Sequence, residues 1–134
     1  MKKRYVAAFL VLIAGLSSAF AAEPLKGISS IRVSNYGAPS VLLKERAQVA
    51  EIVGELNSLR GKPWVHGDRR LACYSTIVFM AGTKTVAMFR VTPEYVVEQP
   101  VEKGQSRSAL AIGETDLPAL RKVLAQDTPA AKCR

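Results

Sequence analysis

Residues 73–91, CYSTIVFMAGTKTVAMFRV, carry two runs rich in β-branched and aromatic residues around Ala81-Gly82-Thr83-Lys84. Such a pattern reads as a β-hairpin, with glycine opening a two-residue turn. If Gly82-Thr83 is that turn, Phe79 pairs with Val86 and Ile77 with Met88 on one face, while Thr76, Val78, Ala87 and Phe89 share the other. Both faces are then largely apolar. The hairpin is therefore expected in the middle of a sheet, covered by helix on one side and at least partly covered on the other.

Working outward, Thr92-Pro93-Glu94 turns the chain into a short strand over Tyr95 to Glu98, and Ala109 to Ile112 reads as an edge strand after a polar stretch. Upstream, Ile28 to Asn35 alternates as a strand, and Val41 to Leu43 adds a short extended piece. Between Glu45 and Arg60 the apolar residues fall at Val49, Ile52, Val53, Leu56 and Leu59, spaced three and four apart as one helix stripe requires. Gly54 inside it suggests close backbone packing, and Gly61 is a natural left-handed helix end, with Pro63 preventing resumption. A second, shorter helix is expected over about 116–125, with Thr115 or Asp116 as cap, Pro118 in the first turn, and Leu117, Leu120, Val123 and Leu124 as its stripe.

The expected fold class is α+β: an antiparallel meander of three to five strands packed against a longer helix, about 45–60, and a short C-terminal helix. Several small exported folds share this order, the cystatin-like one among them. The cystatin Gln-x-Val-x-Gly signature is missing, because Gln48-Val49-Ala50-Glu51-Ile52 falls inside the helix. No family follows from the order alone.

Met1 to Ala21 has the layout of a cleaved secretory signal peptide. Lys2, Lys3 and Arg4 precede an apolar run from Val6 to Leu16, and Ala19-Phe20-Ala21 supplies a small-x-small exit. That run is shorter than the roughly 20 residues of a spanning helix, so stable membrane insertion after cleavage is not expected. Residues 22–134 then form one exported domain of 113 residues (134 less 21), periplasmic or secreted. In an oxidising compartment, pairing of Cys73 with Cys133 is the expected state. The bridge would close a loop of 61 residues (133 less 73, counted inclusively), for which chain entropy gives about 4 kcal/mol, with about 2–4 kcal/mol commonly realised.

After removal of the leader the chain holds sixteen basic and eleven acidic residues, a net +5. The whole surplus lies between Arg60 and Arg90, where Arg60, Lys62, Arg69, Arg70, Lys84 and Arg90 face only Asp68. A solvated, solubilising surface is the plain explanation; a docking patch for another protein or an anionic envelope component is the functional one. Nucleic acid is disfavoured by export and by the lack of interleaved aromatics.

Gly61 to Ala72 is a long connection and concentrates the only tryptophan and histidine of the chain. Trp64, His66, Asp68, Arg69 and Arg70 are accordingly the candidate binding residues, since Trp and Arg most often anchor interfaces. The competing reading has Trp64 plugging the end of the core. His66 and Asp68 alone are too few for a catalytic zinc site, no Gly-x-Ser-x-Gly elbow accompanies them, and no cofactor-binding or phosphate-loop motif is present. The expectation is a non-enzymatic protein-binding domain, inhibitor- or immunity-like. A small envelope hydrolase using His66 and Asp68, or a structural or stress-related accessory domain, is the alternative.

Overall fold

The computed structural model describes residues 23–36, 39–67, 69, 71 and 73–126. The proposed leader, Asp68, Arg70 and Cys133 lie outside them. Seven strands and two helices follow in order: β1 (Ser30–Ser34), β2 (Val41–Leu43), α1 (Arg46–Arg60), β3 (Val65–His66), β4 (Ser75–Ala81), β5 (Lys84–Val91), β6 (Tyr95–Gln99), β7 (Ser108–Ala111) and α2 (Pro118–Gln126). All pairings are antiparallel, in the order β2-β1-β4-β5-β6-β7-β3. This is an α+β fold. The expected meander is β4 to β7, and the strands beyond the expected three to five are the short pieces that extend the sheet at its edges.

The hairpin turns at Gly82-Thr83 as its sequence implies, with Ala81 opposite Lys84 and Gly82 at φ +61°. The register is not the expected one. Met80 still faces Thr85, but a β-bulge between Phe79 and Met80 sets Phe79 opposite Ala87 and Ile77 opposite Phe89. One extra residue on β5 reverses which side chains point to which face from Ala87 onward. Phe89 and Val91 thereby join Phe79 and Ile77 on the same side, where Phe79 and Phe89 meet edge to face with centroids 5.6 Å apart. Both rings are fully buried.

That side is covered by both helices. Val49, Ile52, Leu56 and Leu59 of α1, with Leu120 and Val123 of α2, close over Ile31, Val33, Ile77, Phe79, Phe89 and Val96. Connecting β2 to β3 means passing from one sheet edge to the other, six strand spacings or about 29 Å. A 15-residue helix supplies about 22 Å of that span. The residues before β1 run back along the helix: Leu25 is buried, and its N–H donates to Asn57 Oδ1 (2.7 Å) while Asn57 Nδ2 donates to its carbonyl (3.2 Å).

Three local expectations are corrected. Gly54 faces solvent, and a Cβ placed there would meet nothing within 4 Å, so it marks no close packing. Gly61 is right-handed (φ −76°, ψ −9°); α1 ends because Pro63 follows and because Lys62 N–H and the Trp64 indole N–H both donate to the Leu59 carbonyl. The α2 start is capped neither by Thr115 nor by Asp116. Glu55 of α1 does it, its carboxylate accepting from Ala119 N (2.8 Å) and Leu120 N (3.1 Å). Asp116 instead accepts from Gly113 N. A capping carboxylate 64 residues away leaves no local signature.

Two substitutions on α1 separate these effects. Gly54→Ala is expected to stabilise the protein by about 1 kcal/mol, because it removes helix-interior glycine entropy without steric conflict. Glu55→Ala is expected to destabilise by about 1–2 kcal/mol through loss of the cap. Urea unfolding of both variants, at unchanged slope, measures the two opposite shifts.

Candidate functional site

Gly61 to Ala72 is not a plain loop. It contains β3, which adds to the outer edge of β7 with Val65 opposite Ala109 and His66 opposite Ser108. Alternation along a strand then sorts the candidate residues onto different sides. Trp64 and His66 lie on the helix-covered side, Val65 and Arg69 on the other.

Trp64 is half-buried and packs against Phe89 at a centroid distance of 6.2 Å, tilted by 52°. With its indole N–H on the Leu59 carbonyl, 2.9 Å away, it plugs the end of the core beneath the α1 terminus. His66 is exposed, and its Nδ1 lies 3.4 Å from Ser106 Oγ. Among the described residues no carboxylate bonds its ring, and no group of three or more His, Cys, Asp or Glu could hold a metal ion. Among the described residues, which do not include Asp68, no orienting acid stands beside this serine and histidine, as acyl transfer requires.

The basic surplus is divided in the same way. Arg60, expected at the surface, has a side chain only 12% exposed. It donates from Nε to the Glu23 carbonyl (2.6 Å) and from one terminal nitrogen to both Glu98 carboxylate oxygens (3.2 Å each), with its guanidinium 5.8 Å from the Phe89 ring centre. It is an internal clamp. Arg69 is exposed and stacks over Tyr95 at 5.1 Å; Arg90 stacks over Tyr74 at 4.6 Å.

Those two stacks lie on the helix-free side of the sheet. Rows of paired residues cross it: Leu42, Arg32, Val78, Met88 and Gln99 in one, and Ser34, Thr76, Arg90, Val97, Ala109 and Val65 in the next. Toward β6 and β7 this side is closed. Val97 is fully buried, and Gln99 is 5% exposed with its Oε1 accepting from Arg107 Nε (3.0 Å). Toward β2 and β1 it is open, with Leu42 42% exposed and Arg32 exposed. Glu98 is the only acidic residue in the seven strands; it sits on the helix side and is paired with Arg60. The helix-free side therefore presents Arg32, Arg69 and Arg90 with no strand carboxylate to neutralise them.

Sequence reasoning placed Arg69 and Arg90 in the basic surplus but missed Arg32, Tyr74 and Tyr95. Tyr74 beside Arg90 could not be read from the hairpin, because the expected register pairs Arg90 with Ser75 and sets Tyr74 on the opposite face, and only the bulge brings the two onto one side. Tyr95 under Arg69 had no signal, since the contact spans 26 positions and depends on where β3 docks. No helix among the described residues is long and apolar enough to cross a membrane. Compared with known proteins, the chain matches no family model, no curated protein and no solved structure.

Removing the Trp64 ring should uncover Phe89 and take one of two donors from the Leu59 carbonyl. Trp64→Ala is expected to cost about 2–4 kcal/mol in chemical denaturation, and Trp64→Phe less, whereas His66→Ala should stay within about 0.5 kcal/mol of the parent protein.

Proposed function

We propose that this protein is a non-enzymatic exported domain, periplasmic or secreted, which acts by binding an acidic partner protein on the helix-free side of its sheet. The observation that carries the reading is the set Arg32, Arg69 and Arg90, which make no ion pair among the described residues and two of which are pre-oriented on tyrosine rings. Arginine and tyrosine are favoured interface residues because they combine apolar area with directed polar contact, and a guanidinium already stacked loses less freedom on binding. A protein is favoured over an anionic polymer because Val78 and Met88 follow Arg32 across the sheet, with Leu42 beside it at the edge, and these side chains need an apolar counterpart. Inhibitor- and immunity-type roles both have this form. The hydrolase alternative rests on His66, exposed with its Nδ1 3.4 Å from Ser106 Oγ, and on Asp68, which lies outside the described residues.

Export and the Cys73–Cys133 bridge belong to the same proposal. No cysteine among the described residues is free. The Asn35 side chain spans the Leu124 carbonyl of α2 and Ser75 Oγ, at 3.4 and 2.6 Å, so the last helix ends near the strand that follows Cys73. From Gln126, seven residues reach Cys133, enough for about 23 Å of chain.

Capture from a native envelope extract tests the binding reading. The parent protein should retain a partner whose binding weakens steeply with salt, and the double variant Arg32→Glu/Arg69→Glu should lose it with an unchanged melting curve. Equal retention by the variant would refute the assignment of this face. Intact mass of the native protein should show residues 1–21 removed and two hydrogens fewer than the dithiol form.

A further inference from the structure

On the opposite side of the molecule, a groove of about 530 Å³ lies between the segment leading into β1 and the first half of α1. Its volume falls within the range of small-molecule sites, about 300–1,000 Å³. Ile28, Val49, Ala50 and Val53 form its apolar lining, and Lys44 and Arg46 stand at the β2–α1 corner. The order along the groove matters. Arg46 and Val53 are seven residues apart on one helix, about 10 Å along its axis, so the cations are at one end and the apolar lining extends away from them.

The remaining polar wall is already engaged. Ser29 Oγ donates to the Met80 carbonyl and accepts from Gly82 N, so its one donor is already used and none is left for an anionic group. Lys44 and Arg46 make no ion pair among the described residues. Glu45, between them in sequence, is exposed and is not part of the groove wall. The start of the described chain does not fill the space, because Glu23 is held by Arg60 and Leu25 by Asn57 at the far end of α1.

From this arrangement we propose that the groove binds a free single-chain anionic amphiphile, its carboxylate or phosphate at Lys44 and Arg46 and its acyl chain along Ile28, Ala50 and Val53. Charge at one end only and an apolar wall beyond it match such a molecule. A peptide strand would bring backbone polar groups that the apolar wall cannot satisfy. The site is separate from the arginine-bearing face and does not depend on that reading.

Calorimetric titration of the full exported protein with octanoate, decanoate, dodecanoate and tetradecanoate, each below its critical micelle concentration, tests the proposal. Saturable one-to-one binding is expected, with Kd tightening by up to about fourfold per methylene until the groove is covered. Lys44→Glu/Arg46→Glu should weaken dodecanoate binding by about tenfold or more, Val53→Asp should remove the chain-length dependence, and Arg32→Glu/Arg69→Glu should change neither. Melting curves of each variant confirm that it is folded. No saturable binding, equal affinity for dodecanol and dodecanoate, indifference to the groove substitutions, or binding to anionic phospholipid vesicles without binding to monomeric dodecanoate would each overturn it.

Discussion

A single extra residue in β5 holds the architecture in place. With the uninterrupted pairing that the Gly82-Thr83 turn alone would impose, Phe79 and Phe89 would project to opposite sides of the sheet. The bulge next to Met80 brings both rings, with Ile77 and Val91, onto the side that the helices cover. The core then assembles around Phe89. Phe79 meets it at a right angle, Trp64 packs tilted against it and Arg60 lies over its ring, and these neighbours come from the hairpin, the residue before β3 and the end of the long helix. A sheet with its two phenylalanines on opposite sides would need apolar cover on both, and among the described residues both helices lie on one side.

The second consequence is a molecule whose two sides differ in kind. The helix-covered side is closed and internally paired, including the one strand carboxylate, Glu98, and its clamp Arg60. The other side is polar and basic where it is open, and dry where Val97 and Gln99 lie. Because β3 is an edge strand, the segment from Trp64 to Arg69 cannot act as one surface. Its tryptophan is committed to the core, and its arginine reaches Tyr95 on the far side. One short stretch thus sends one side chain into the core and another to the opposite side of the sheet.

Much of the secondary structure was legible because each element carries its own period. The stripe Val49, Ile52, Leu56 and Leu59 specified α1 to within a residue of its ends, and the hairpin, its turn and the β6 strand stood out by composition. Two-residue β3 was not legible, because a pair such as Val65-His66 has no period and exists only where β7 offers an edge. The cap on α2 was hidden for a similar reason: its carboxylate is on another helix. Of the candidate site, Arg69 and Arg90 were visible as charge, while their tyrosine partners and Arg32 emerge only from the strand register.

The amino-acid sequence by itself determined the fold class, the position of the long helix and the concentration of positive charge in the middle of the chain, since periodicity and charge are properties of neighbours along a polymer. Tertiary structure alone decided which of those charges are spent inside and which remain outside. Arg60 and Arg69 are alike as residues; one is consumed by Glu98 and a backbone carbonyl, the other stays exposed, stacked on Tyr95. That outcome follows from the bulge and from the edge on which β3 docks, and both are set by packing between segments far apart in the chain.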